Sequence, residues 1–275
     1  MIDKEQIKTL VRSALEKKIS GTVHGKGFIF AANWKMNQDK AKVESFCKDI
    51  KNVKTSNGDS VLIFPPFVYL DMLSRELAGS GIGFGTQNVS CEKSGAFTGE
   101  VSADMIAEFG CKYAIVGHSE RRSLYKETDG DCAKKVRMLL SKNIVPVLCV
   151  GEKESARRDG SFEEVIKVQL THSLAGLKPE DGKNIIIAYE PVWAIGTGLV
   201  ASTEQIAGTH KFIREVLCEI FKCFGKDIPI LYGGSVKPDN IKGISKANDV
   251  GGFLVGGASL KASSFIQMIE TVEKD

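Results

Sequence analysis

The sequence lacks several patterns that would restrict its function at once. No apolar run approaches the roughly 18 residues of a membrane-spanning helix. No basic block or basic–aromatic alternation indicates nucleic acid, and 37 basic and 34 acidic residues leave a net charge of only +3. The seven cysteines include no C-x-x-C pair, so neither a disulfide framework nor a zinc site is predicted. Reduced thiols are typical of the cytoplasm, which is the expected location.

What the sequence does have is length and glycine. Its 275 residues suit one large α/β barrel domain, and its 43% hydrophobic content is ordinary for a globular protein. Many of the 28 glycines follow apolar runs, where backbone can approach a ligand closely. No Pro-, Gly- or Ser-rich linker divides the main part of the chain, so a single catalytic domain over residues 27–275 is expected.

Residues 1–26 differ from the rest and are expected to form a short N-terminal helical extension. Apolar residues recur there at near-helical spacing, at Ile7, Leu10, Val11, Ala14 and Ile19. A transit peptide is the alternative, but such peptides are poor in acidic residues, and this segment contains Asp3, Glu5 and Glu16. A packed or partner-binding helix is therefore favoured.

From Phe28 onward, apolar runs typical of buried strands alternate with amphipathic stretches. The strand candidates are Phe28–Asn33, Ser60–Phe64, Ile82–Gln87, Tyr113–Val116, Ile144–Cys149, Asn184–Glu190, Ile228–Leu231 and Gly251–Val255. The clearest helical stretches are Lys40–Val53, Thr128–Lys142, Phe162–Leu174, Thr203–Lys222 and Ser263–Glu273. Eight uninterrupted strand–helix units predict a closed (β/α)8 barrel rather than an open sheet.

In such barrels the chemistry belongs to the C-terminal ends of the strands. Glu190 stands at such an end, and Pro191 after it cannot continue the strand pairing. The short apolar loop that follows could close as a lid. A solvated glutamate in an ordinary connection is the competing interpretation.

Two other strand ends carry polar side chains of possible function. Asn33 and Lys35 share one face of an extended chain and could point together into the barrel mouth, although most lysines are simply solvated. His118 lies where a strand becomes a helix, and a helix N-terminus favours the neutral imidazole. Ser119 is a candidate helix cap, and Glu120 could bridge to Lys35.

Two Gly-Gly pairs follow the seventh and eighth strands, at Gly233-Gly234 and Gly256-Gly257. One pair is commonly just a turn, but two at these strand ends favour a phosphate site. The loop from Val89 to Val101 is long for its class and carries an apolar tip, which suggests contact with a second subunit. Cys149 is expected to be a packed core thiol.

Five segments together resemble the triosephosphate isomerase family. They are Ala32–Asn37, Ile115–Arg122, Ala188–Gly198, Tyr232–Val236 and Val255–Leu260. The resemblance extends from about residue 28 to the C-terminus and implies a TIM barrel that interconverts dihydroxyacetone phosphate and D-glyceraldehyde 3-phosphate. It implies no metal and no cofactor.

The resemblance also implies residue roles. Glu190 would be the base, His118 the neutral acid, and Lys35, Asn33 and Glu120 the groups that stabilise or orient the intermediate. The implied residues that bind substrate or its phosphate are Asn33, Lys35, Gly196, Ser235, Gly256 and Gly257, and the phosphate is held by backbone N–H groups of the last four. The implied lid consists of Pro191, Val192, Trp193, Ala194, Ile195, Gly196, Thr197 and Gly198. A homodimer is implied as well, with Thr98 reaching the partner's site.

The sequence departs from the usual family pattern in the extension, at Ala32 and at Ser123–Lys126. An aromatic–glycine stretch is often seen before Glu127, so the packing of this helix is in question. Another phosphate-binding barrel with different chemistry is the alternative enzyme, and a non-catalytic binding protein is the alternative of another class. The full set of candidate residues argues against both.

Overall fold

The computed structural model describes residues 27–55, 58–195 and 200–273. The predicted extension over residues 1–26 and the lid residues Gly196, Thr197 and Gly198 lie outside these ranges. No helix within the ranges is long and apolar enough to cross a membrane.

Eight parallel strands close into a barrel in which each strand pairs with its neighbours in chain order. The strands are β1 Ile29–Asn33, β2 Ser60–Phe64, β3 Gly83–Thr86, β4 Tyr113–Val116, β5 Val145–Val150, β6 Ile186–Tyr189, β7 Ile230–Tyr232 and β8 Gly252–Val255. Pairing of β1 with β8 closes the ring. The predicted (β/α)8 TIM barrel is confirmed.

Helices connect the strands around the outside of the barrel. They are α1 Lys40–Ile50, α2 Leu70–Glu76, α3 Ala103–Glu108, α4 Ser119–Leu124, α5 Asp129–Ser141, α6 Glu154–Asp159, α7 Phe162–Ser173, α8 Thr203–Phe221, α9 Ile241–Ser245 and α10 Ala262–Glu273. Single 3-10 turns follow β6 at Val192–Ala194 and β8 at Gly257–Ser259.

Local sequence sets where the longer helices begin. Thr128 accepts a hydrogen bond from the backbone of Asp131, whose carboxylate binds back, and this capping box starts α5. Ser202 and Gln205 start α8 in the same way. Such reciprocal bonds satisfy N–H groups that the first helical turn otherwise leaves unpaired.

Strand alternation decides which side chains enter the barrel. Along β1, Ile29 and Ala31 belong to the apolar cluster that fills the barrel, whereas Phe30 and Ala32 pack towards the helices. A period of two therefore assigns Asn33 to the inner face at the end of β1. By the same alternation Glu190 follows the inward-facing Ile186 and Ala188. The apolar pattern of the strands thus aims these polar residues at the barrel mouth.

Candidate active site

Glu190 lies at the tip of β6 and is almost completely buried, with 2% of its surface exposed. Its N–H bonds to the carbonyl of Val150 at 2.8 Å, which extends the β5–β6 pairing by one residue. One carboxylate oxygen lies 2.9 Å from Nε2 of His118, and the other accepts the N–H of Ser119 at 2.8 Å. Burial alone would raise the pKa of Glu190, but His118 and the Ser119 N–H outweigh it and hold the pKa below its usual value.

His118 is the residue that caps α4, so the expectation that Ser119 is the cap was wrong by one position. Nδ1 of His118 accepts the N–H of Glu120 at 3.2 Å. A ring nitrogen that accepts carries no proton, so the proton of the neutral imidazole is on Nε2, facing Glu190. Burial opposes charging of this ring, but the nearby Glu190 carboxylate prevails and raises the pKa of His118. The neutral form is therefore favoured most once Glu190 moves away.

Lys35 is held in place at its backbone and at its ammonium. Its φ of 52° is unusual for a non-glycine residue. Its N–H bonds to Oδ1 of Asn33 at 3.0 Å, and its carbonyl accepts Nε2 of Gln87 at 2.9 Å. Its ammonium lies 2.6 Å from Oε1 of Glu120, the bridge that the sequence suggested. Sequence reasoning gave Gln87 no role, although it stands at the end of the third strand candidate.

A pocket of about 270 Å³, here called the glycine pocket, opens at the barrel mouth. The candidate residues that line it are Asn33, Lys35, His118, Glu190, Ile195, Ser235, Gly256 and Gly257. A Cβ on Gly256 would lie 3.3 Å from Cε of Lys35, and one on Gly233 would lie 3.0 Å from Cγ of Glu190. Both glycines thus leave room for the two charged side chains. The 3-10 turn that begins at Gly257 offers backbone N–H groups of the kind that bind anions.

The described part of the lid is anchored by a glutamate that sequence reasoning missed. Glu152 has none of its surface exposed, and Oε1 accepts the indole N–H of Trp193 at 2.7 Å and the hydroxyl of Tyr189 at 3.1 Å. Burial raises the pKa of Glu152 above its usual value. The signal in the sequence was its place three residues after Cys149, where the fifth strand is predicted to end.

Two further candidates lie away from the glycine pocket. Thr98 is in the exposed loop between β3 and α3 and does not line the pocket. Cys149 is fully buried, as expected, and burial raises the pKa of its thiol well above the usual value. Across the described ranges, no group of three or more His, Cys, Asp or Glu could hold a metal ion.

Acid–base side chains beside an anion-binding pocket, at the C-terminal mouth of a (β/α)8 barrel, are typical of barrel enzymes. The chain is an enzyme of this kind. The family model described as triosephosphate isomerase matches residues 28–272. Three similar proteins carry that name, from Francisella philomiragia, Francisella tularensis subsp. holarctica and Endomicrobium trichonymphae.

These matches cover nearly the whole length of this chain and of each relative. The F. philomiragia protein is 44% identical over 247 residues, which is 90% of this chain and 97% of the relative. The F. tularensis protein is 42% identical over the same shares. The E. trichonymphae protein is 42% identical over 243 residues, 88% of this chain and 97% of the relative. The chain belongs to the triosephosphate isomerase family, whose members are isomerases that act in glycolysis.

Proposed function

We propose that the chain interconverts dihydroxyacetone phosphate and D-glyceraldehyde 3-phosphate through an enediolate, with the residues of the glycine pocket in the roles described below. The observation that carries this assignment is the position of Glu190. Its buried carboxylate lines the same pocket as His118 and Lys35, so a carbonyl compound held there meets a base, a neutral proton donor and a cation.

Glu190 takes a proton from one carbon of the substrate and returns it to the neighbouring carbon. In the described state both carboxylate oxygens are already hydrogen-bonded, and the pKa of the group is lowered. A carboxylate in these bonds is a weak base. It must therefore release His118 and Ser119 before it acts, and loss of water under a closed lid would then raise its basicity.

The other polar groups act on the oxygens of the substrate. His118 donates its Nε2 proton to the carbonyl oxygen and moves protons between the two enediolate oxygens. Lys35 stabilises the negative charge that develops there. Asn33 holds the backbone of Lys35 and orients groups beside it, and Glu120 steadies the ammonium.

The phosphate end is assigned to the backbone N–H groups of Gly196, Ser235, Gly256 and Gly257, with Asn33 and Lys35 close by. Pro191 to Gly198 form the lid. Binding of the remote phosphate by Gly196 would close the lid over Glu190, so that substrate binding supports catalysis. The hydroxyl of Ser235, 3.4 Å from the carbonyl of Ala194, already connects the phosphate loop to the lid.

We also propose a homodimer in which Thr98 of each subunit reaches the other's site near Asn33 and Lys35. A cavity of about 270 Å³ beside Lys35 supports this, because it opens next to the exposed Met36 and Tyr125. A cytoplasmic location is proposed from the glycolytic role of the family and the seven free cysteines. Residues 1–26 are proposed to be a helical extension outside the catalytic barrel.

A coupled NADH assay of the purified full chain with D-glyceraldehyde 3-phosphate tests the activity, and the absence of turnover would refute it. In Glu190→Asp we expect kcat to fall about 100-fold with little change in KM, because the carboxylate retreats by one methylene from the reacting carbon. Glu163→Asp on the exposed surface of α7 is the matched control and should keep full activity. Loss of substrate binding with turnover retained would show that the base is assigned wrongly.

A further inference from the structure

A second cavity lies on the other side of Glu190 and is called here the rear cavity. Its volume is about 310 Å³, compared with about 270 Å³ for the glycine pocket. Within the described ranges Glu190 alone lines both spaces, so this side chain is the partition between them. The proposed reaction uses the glycine pocket and gives the rear cavity no part.

The rear cavity has an apolar wall and a polar rim. Five parts of the fold meet around it: the start of α4, the end of β5 with the loop after it, helix α6, helix α7 and the start of the lid. Its apolar lining comprises Val150, Ala156, Val165 and Val192. Its hydroxyl groups belong to Ser119, Ser123 and Ser155. A concave apolar surface with a few polar groups at one end is the usual character of a small-molecule site.

Two cations line the rear cavity, but only one is available to a ligand. The guanidinium of Arg122 is committed to the carbonyls of Gly117 and Cys149 and to the carboxylate of Asp129, at 2.7, 3.3 and 2.5 Å. Lys153 is exposed at the rim, and its ammonium has no ion pair among the described residues. One uncompensated positive charge therefore stands at the entrance.

We propose that the rear cavity binds a short-chain monocarboxylate, with its carboxylate at Lys153 and its alkyl chain against Val150, Val165 and Val192. A single available cation matches a single negative charge. The carboxylate of Glu190, which also lines the cavity, repels a dianion more strongly than a monoanion, so the triose phosphates should bind there more weakly. The alkyl chain loses contact with water at the apolar wall, which strengthens binding about fourfold per buried methylene.

Occupation of the rear cavity should slow turnover, and this consequence rests on the function proposed above. Val192 is the second residue of the lid, and Glu190 directly precedes the lid. An alkyl chain packed against Val192 would keep the start of the lid and the carboxylate of Glu190 in the positions they have in this structure. The substrate would still enter the glycine pocket, so kcat would fall while KM stayed the same.

Binding is tested by saturation-transfer NMR on the full chain with sodium hexanoate, and with hexanamide as the neutral analogue. We expect hexanoate to bind with or without saturating inorganic phosphate, and to bind at least about fivefold more tightly than hexanamide. Lys153→Met should weaken the binding of hexanoate about fivefold. Lys112→Met is the control, because Lys112 is exposed and precedes the N-terminal end of β4, and it should leave the binding of hexanoate unchanged. Val165→Phe should abolish binding by filling the cavity.

Displacement of hexanoate by phosphate would overturn the proposal, as would equal binding by Lys153→Met or by hexanamide. In the coupled assay hexanoate should lower kcat, and Lys153→Met, with unchanged basal activity, should need about fivefold more of it. A rise in KM alone, or hexanoate bound at Lys153 with no effect on kcat, would contradict the inhibitory role. An enzyme inactive without hexanoate would refute the proposed function instead, while the NMR result would still decide the site.

Discussion

Lys126 holds a backbone conformation that residues other than glycine rarely adopt. It stands within Ser123–Lys126, where the chain departs from the usual family pattern, and its φ is 58°. Left-handed backbone costs a non-glycine residue roughly 1–2 kcal/mol, against about 0.5–1 kcal/mol of extra chain entropy for glycine. Lys126→Gly should therefore raise the free energy of unfolding by about 0.5–1 kcal/mol in urea denaturation.

The same change elsewhere should have the opposite sign. Lys134→Gly lies at an exposed position inside α5 and should lower the free energy of unfolding by about 1 kcal/mol, because glycine is a poor helix former. A Lys126→Gly protein no more stable than the parent would show that the exposed bond from its ammonium to Ser123 outweighs the relief of the backbone.

At the residue scale, the sequence predicted where a functional residue lies in the fold better than it predicted which residues it contacts. The strand pattern predicted that Glu190 ends a strand and faces the mouth. It did not predict that Glu190 bonds to the N–H of Ser119, since that contact depends on how far the carboxylate reaches from the end of β6, past β5, to the start of α4. Glu152 was missed because its role depends on Trp193, which lies 41 positions further along the chain.

At the scale of elements, Glu127 joins β4, α4 and α5. This buried carboxylate accepts the N–H of Gly117 at 2.9 Å and pairs with Arg121 at 2.5 Å and Lys135 at 3.0 Å. Burial opposes its charge, but Lys135 and Arg121 prevail and lower its pKa. Such a group stabilises the fold above its unfolded pKa, near 4.5, and the contribution is lost as pH falls through the lower folded value.

Glu127→Gln should therefore lower the free energy of unfolding by about 3 kcal/mol at pH 7, because it leaves two cations without their partner. The difference from the parent should shrink as the pH falls below about 4.5. Urea denaturation across this range measures it, with Glu44→Gln on the exposed face of α1 as the control that should change little. A difference that does not vary with pH would mean that shape, and not charge, is responsible.

Element boundaries show where sequence prediction stops. The bounds of β2 and β4 agree with those predicted from the sequence. Strand β5, however, continues to Val150, one residue beyond the predicted end at Cys149. The extra residue pairs with Tyr189 of β6, so the neighbouring strand sets the end. A parallel strand thus ends where its partners end, and its own sequence carries only part of that information.

At the scale of the whole molecule, exposed apolar side chains gather on one side of the barrel mouth. Seven of the eight large hydrophobic residues exposed in the described ranges lie in the segments that follow β1 to β4: Met36, Val68, Phe97, Met105, Phe109, Leu124 and Tyr125. Met36 is 95% exposed and directly follows Lys35. Apolar surface gathered in this way marks a protein–protein contact, and it supports the dimer that the long β3 loop suggested.

Phe97→Glu tests that contact, because Phe97 is 46% exposed and lies beside Thr98 at the loop tip. A glutamate buried in the dimer should weaken association by roughly 3 kcal/mol, about 100-fold in the dissociation constant. Sedimentation velocity should then show monomer at concentrations where the parent forms the proposed dimer, and activity should fall with dilution if Thr98 completes the partner's site. Val200→Glu changes an equally exposed residue after β6, and it should sediment like the parent. A Phe97→Glu protein with the same dissociation constant as the parent would exclude this face as the interface, because a charge placed in a dimer contact must weaken it.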